Sequence, residues 1–212
     1  KTFYSITSNY NNVEKDKNLK RLVNDMIKWI QFNPVPWSYI PDFNEIMNQS
    51  NERSIFKLFE SIYTLSAKNA QKKKYWCCKS LHNLNFYNNK KFKVLDPIFI
   101  YIYRDGRDVA ASYKKASIGD KHIYFLAKKW EKDQIICKKI RETTNDSNFF
   151  SVKYEDLLNN PSKIFKVFCS KYGIKYNKNF LDFYKSNDSK ITSLSGKLWQ
   201  NLSRPLIKNN SE

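Results

Sequence analysis

An apolar run, Pro97-Ile98-Phe99-Ile100-Tyr101-Ile102-Tyr103, delivers Arg104 straight into the turn Asp105-Gly106-Arg107-Asp108. Ser112 follows near the second turn of the helix that the next residues spell. That order of residue types suits an anion. A helix start offers unpaired backbone N–H groups and the positive end of the peptide dipole. A guanidinium adds a planar fork of donors and a hydroxyl adds one more, which together make a phosphate site. The competing reading is that Arg104 pairs with Asp105 or Asp108 and merely closes the turn. Two further apolar runs also end in polar residues, at Lys79-Ser80 and at Lys153 to Asp156. Ligands of open α/β sheets lie beyond the carboxyl ends of the strands, so these three places are where chemistry belongs.

The elements that must position them follow from periodicity. Leu19, Leu22, Val23, Met26, Ile27 and Ile30 share one face of a 3.6-residue period, and Pro34 to Pro36 should end that helix. Ile55, Leu58, Phe59, Ile62 and Leu65 mark a second helix. Tyr75 to Cys78 reads as a short buried strand. Residues 97–103 form the strongest strand, and their lack of alternation predicts burial on both faces, as in a parallel sheet. A long helix is expected from about Asp120 to Glu142, with Ile123, Leu126, Ala127, Trp130, Cys137 and Ile140 inward. Phe149 to Val152 should be another strand. Asn160 and Pro161 then cap and open a helix with Ile164, Phe165 and Phe168 inward, which Gly173 closes. The tail after Ser186 reads as polar and irregular. Strands alternating with helices specify an α/β domain with a parallel sheet.

Composition narrows the partners. The chain has 212 residues, 41% hydrophobic and 27% charged, which is enough for one sizeable core and argues against general disorder. Its net charge of +18 favours nucleic acid, an anionic membrane surface or a small substrate bearing several phosphates; the competing reading is a background composition rich in Lys and Asn with only 4 glycines. No apolar run is long enough to span a bilayer, and no leader pattern is present, which favours a cytoplasmic compartment. The four cysteines, Cys77, Cys78, Cys137 and Cys169, lack metal-ligand spacing and are too few for a disulfide scaffold. Reduced, mostly buried thiols are expected, and no metal.

The stretch YIYRDGRDVAASYKK, within Phe99 to Lys115, resembles the 3′-phosphate-binding segment of the sulfotransferases that use 3′-phosphoadenosine 5′-phosphosulfate (PAPS). Other segments fall in that family's order: Tyr75 to Ser80 ending in CKS, VKYEDLLNNP from Val152 to Pro161, Tyr172-Gly173-Ile174, and GKLWQNLS from Gly196 to Ser203. The resemblance spans roughly Tyr75 to Arg204. It implies a sulfotransferase-like, P-loop-type three-layer fold, a parallel β-sheet flanked by helices, and transfer of a sulfuryl group from PAPS to a hydroxyl or amine. It divides a single domain into a helical acceptor-side region at 1–74, an α/β core at 75–204 and a tail. Arg104 and Ser112 would hold the donor's 3′-phosphate and Tyr154 would contact the adenine. Lys79 would stand near the sulfuryl group, although a lysine following Lys72 to Lys74 is by composition a solvated one. The family's general base is often a histidine shortly after that lysine; here His82 stands one residue later. His122 is the other candidate base. The acceptor, a small molecule, a glycan or a peptide, is not legible in these residues.

Two departures matter. The first glycine is Gly106, so no Gly-rich loop for the donor's 5′-phosphate precedes it in these residues. We expect the first strand and its loop to lie upstream of Lys1, where the chain opens without Met. Near the carboxyl end, Ser193-Leu194-Ser195-Gly196 replaces the family's basic element, which leaves Lys190 and Lys197 as substitutes. The alternatives are a non-catalytic relative that binds nucleotide only, a basic nucleic-acid-binding module and a P-loop kinase. Scattered lysines and aromatics placed on apolar faces argue against nucleic acid, and the Arg104–Ser112 spacing argues against the kinase.

Overall fold

A computed structural model describes residues 10, 13, 15–33, 36–71, 75–79, 83–116 and 119–206. The chain is a mostly helical α/β protein with a small parallel sheet, and it divides into two compact units, residues 1–96 and 97–212. No helix among the described residues is long and apolar enough to cross a membrane.

The first unit is helical. α1 (Asp16–Gln31) buries Leu19, Leu22, Val23 and Met26, the expected face, against Ile46, Leu58 and Ile62. It stops before Pro34, as the prolines require. α2 (Phe43–Gln49) starts at a capping box: the Glu45 N–H donates to Asp42 Oδ1 at 2.9 Å, and the Asp42 N–H donates to Glu45 Oε2 at 2.8 Å. α3 (Ile55–Gln71) carries Leu58 and Ile62 into the core, with Ile55, Phe59 and Leu65 at its edge. A turn of 3₁₀ helix (Asn83–Phe86) and the short α4 (Lys90–Lys93) follow.

The strand expected at Tyr75 to Cys78 does not form. Residues 75–79 belong to no strand, and alternate ones are exposed. The inward Trp76 packs instead on Tyr63 and Phe59, at ring-centroid distances of 4.8 and 5.9 Å. Apolar character pulls this segment onto aromatic rings, but a strand also needs a neighbour to pair with.

The second unit holds the sheet. β1 (Phe99–Tyr103) and β2 (Phe149–Lys153) run parallel with Phe99 opposite Phe149 and Tyr103 opposite Lys153. Two helices connect them, α5 (Gly106–Lys115) and α6 (Ile123–Thr143), as a parallel crossover demands. Tyr101 donates its hydroxyl proton to Gln134 of α6 on one face of the sheet. On the other face Phe150 meets Phe168 and Tyr172, with centroids 5.1 and 6.4 Å away. Helices therefore flank both faces.

The second-face cover does not reach β1. Ile100 and Ile102 are 46% and 53% exposed, which corrects the expectation of a strand buried on both sides. Among the described residues β1 has one partner strand, and burial follows neighbours rather than hydrophobicity. On α6 the buried residues are Leu126, Cys137 and Ile140; Ile123 and Ala127, expected inward, are exposed in its first two turns.

After β2 come α7 (Tyr154–Asn159) and α8 (Pro161–Lys171). Pro161 opens α8 as expected, although the Asn160 side chain caps nothing. Gly173, at φ 61°, ends it: the Ile174 N–H donates to Cys169 O at 2.8 Å and the Gly173 N–H to Ser170 O at 3.5 Å. This pairing needs a left-handed residue. Gly173→Ala should destabilise the protein by about 1 kcal/mol, read as a lower urea midpoint; an unchanged midpoint would mean the turn carries no strain. A 3₁₀ stretch (Lys178–Lys185) follows, and the tail after Ser186 is more regular than expected, with α9 (Asn187–Leu194) and a second 3₁₀ stretch (Lys197–Ser203).

Candidate functional site

Parallel register builds the site. Because Tyr103 sits opposite Lys153, the next residues, Arg104 and Tyr154, leave the sheet side by side at its carboxyl end. The Arg104 guanidinium lies over the Tyr154 ring, 4.8 Å from its centroid. A cation on an aromatic face is attracted by the ring quadrupole, more strongly when partly shielded from water, and the Arg104 side chain is only 18% exposed. Its Nε stands 3.4 Å from Asp108 Oδ2, in the first turn of α5, and 3.8 Å from Glu155 Oε1. The backbone carbonyl of Arg104 accepts from the Trp130 indole at 3.2 Å, which ties the strand end to α6.

The two arginines of the turn have separate roles. Asp105 caps α5, its Oδ1 accepting from the Arg107 N–H at 2.8 Å. The Arg107 side chain folds back on the same carboxylate in a forked pair, Nε to Oδ1 at 3.0 Å and Nη2 to Oδ2 at 2.8 Å. These bonds hold the Asp105 carboxyl well below the usual carboxylate range and raise Arg107. Arg107 is thus a solvent-side lock on the cap, and Arg104 is the arginine held against the sheet.

Gly106 allows the close approach of α5 to α6. A Cβ there would meet the Trp130 ring at 3.1 Å, tighter than ordinary packing allows. Trp130 therefore touches the site twice, through its indole N–H and through its ring. Sequence placed it only on an inward face.

The other candidates fall elsewhere. Ser112 lies exposed two turns along α5. His122 precedes α6 without a side-chain cap, beyond the far end of α5, a helix of 10 residues and hence about 15 Å long. Its N–H donates to Asp120 Oδ1 at 2.9 Å and its ring meets Phe125 at 5.4 Å. Lys190 and Lys197 are exposed on α9 and the following 3₁₀ stretch, two elements that pack on each other. Lys79 is exposed in the first unit, and His82 lies outside the described residues. The structure thus joins Arg104 to Tyr154, places it beside Asp108 as the turn-closing reading expected, and brings in Glu155, which the sequence did not single out.

The four cysteines are free. Cys137 and Cys169 are buried, Cys78 is half-buried and Cys77 is exposed, so burial is less general than expected. Burial, with Asp133 nearby, pushes the Cys137 thiol up to about 11. Among the described residues no group of His, Cys, Asp and Glu is placed to hold a metal ion.

A half-buried arginine thus lies on a tyrosine at the carboxyl end of two parallel strands and beside a helix start, the part of an α/β sheet where ligands lie. Comparison with known families gives the class: residues 6–178 match the model of the sulfotransferase family, and the chain belongs to that family. The match includes every candidate except Lys190 and Lys197. No curated protein and no solved structure matches the chain.

Proposed function

We propose that the protein transfers a sulfuryl group from PAPS to a hydroxyl or amine, with Arg104 and Ser112 on the donor's 3′-phosphate and Tyr154 at its adenine. The observation that carries this reading is the Arg104–Tyr154 pair at the strand ends, 4.8 Å apart. Its chemistry fits a phosphorylated nucleoside: a cation and a helix start for the phosphate, an aromatic face for the base. The donor supplies an activated sulfuryl group on its 5′-phosphate. The chain's own part is to fix the nucleotide and neutralise its charge, because transfer of this kind resembles phosphoryl transfer in needing in-line geometry and electrostatic stabilisation.

Further assignments belong to the same proposal. Lys79 neutralises charge near the transferred group, and His82 and His122 are the two candidates for the base that takes the acceptor's proton. Lys190 and Lys197 add positive charge to the donor side. Residues 1–74 form the acceptor side and residues 75–204 the donor core.

The test is calorimetric titration of the chain with 3′-phosphoadenosine 5′-phosphate (PAP) beside 5′-AMP, which lacks the 3′-phosphate. PAP should bind at least about tenfold more tightly, the worth of one charge-assisted contact. Equal affinities would remove Arg104 and Ser112 from the donor site.

A further inference from the structure

Glu155 is the unexplained group of the site. It stands second in α7, where an acidic side chain ordinarily bonds to the free N–H groups of the first turn. Both its carboxylate oxygens are shielded from solvent, and among the described residues neither accepts a hydrogen bond. They lie instead 3.8 Å from Arg104 Nε and 3.9 Å from Lys153 Nζ, too far for hydrogen bonds but close for Coulomb attraction. A shielded carboxylate without donors is costly, so its position needs a reason.

The nearer of the two cations is Arg104. Asp108 and Glu155 both address its Nε, and the guanidinium lies over the Tyr154 ring, 4.8 Å from its centroid. Asp108 is near Arg104 in the chain, four residues on in the first turn of α5. Glu155 reaches it from the first turn of α7, just past the end of β2, so Glu155 ties the arginine to the end of the neighbouring strand.

We propose that Glu155 is a positioning residue: its charge orients Arg104 for the anion that Arg104 binds. This rests on the reading of Arg104 as the donor's phosphate ligand. A carboxylate so close to an anion site also repels the anion. The two effects have opposite signs, and they separate when Arg104 is removed.

The experiment is a double-mutant cycle on the full chain, with PAP as the probe. Glu155→Gln keeps the shape and removes the charge. In the wild-type background it should weaken PAP binding roughly fivefold to tenfold, the coupling expected of contacting charged groups. In an Arg104→Ala background the same change should strengthen binding, because only repulsion is left. Weakening in both backgrounds would make Glu155 merely structural, and strengthening in both would make it merely repulsive; either result overturns the proposal.

A second readout needs no nucleotide. The Arg104 Nε–H resonance, assigned by its loss in Arg104→Lys, should become more mobile and exchange faster with solvent in Glu155→Gln. An unchanged resonance overturns the proposal. If the wild type fails to bind PAP while this resonance still responds, the donor reading falls and the positioning role stands.

Discussion

Arg104→Ala is expected to weaken PAP binding by on the order of a hundredfold or more. Two losses add up. The first is the charge-assisted contact itself, worth about 1.5–3 kcal/mol. The second is exposure of the phosphate to carboxylates that the arginine had neutralised, since Asp108 and Glu155 stand 3.4 and 3.8 Å from its Nε. Arg104→Lys keeps the charge but gives up the planar fork and much of the stacking on Tyr154, so it should fall between alanine and wild type. Ser112→Ala removes one hydroxyl on an exposed helix face and should cost tenfold or less, about 0.5–1.5 kcal/mol. Calorimetric titration of the three variants and of the Arg104→Ala, Ser112→Ala double variant would order them. Circular dichroism melts of each would show that the fold survives. An Arg104→Ala protein that melts like the wild type and binds PAP within twofold of it would remove Arg104 from the site.

The site's frame was legible because its signals are local. An apolar run, a turn with Asp105 and Gly106 and a helical stretch are all written in consecutive residues, and the structure keeps each of them. The same holds for the face of α1 and for the glycine that ends α8. What escaped was non-local. Glu155 reads as an ordinary acid at a helix start until β1 and β2 are set in parallel register, which brings the residues after Tyr103 and Lys153 together. Aligning those two strand ends in the sequence would have been the signal. Trp130, whose indole reaches Arg104 across 26 positions, has no local signature at all.

The errors have the same origin. Tyr75 to Cys78 carries the composition of a buried strand but finds aromatic rings rather than a pairing partner. Ile100 and Ile102 carry the composition of a doubly buried strand, yet the helix on their face packs over Phe150. In the tail, composition hid two short helices. The Ser186 side chain accepts from the Ser189 N–H at 3.1 Å and so caps α9, a signal that polar composition masked.

The second large effect is on stability and lies in the first unit. Leu22 is fully enclosed, at 0% exposure, in a cluster with Leu19, Val23, Met26, Ile46, Leu58 and Ile62. Residues of three helices meet in that cluster, so a gap at Leu22 cannot be closed by moving one side chain. Leu22→Ala should therefore cost about 2–5 kcal/mol, the lost transfer energy plus that of the cavity. Against a total stability of about 5–15 kcal/mol this is a large fraction, and the urea midpoint should drop accordingly. Leu22→Met, close in volume, should cost less than about 1.5 kcal/mol. Phe32, just past the end of α1 and 82% exposed, is the contrast. Phe32→Ala removes a larger side chain from water rather than from neighbours, so it should stay within about 0.5 kcal/mol of wild type. If Phe32→Ala proved the more damaging of the two, burial in this cluster would not be what holds α1 in place.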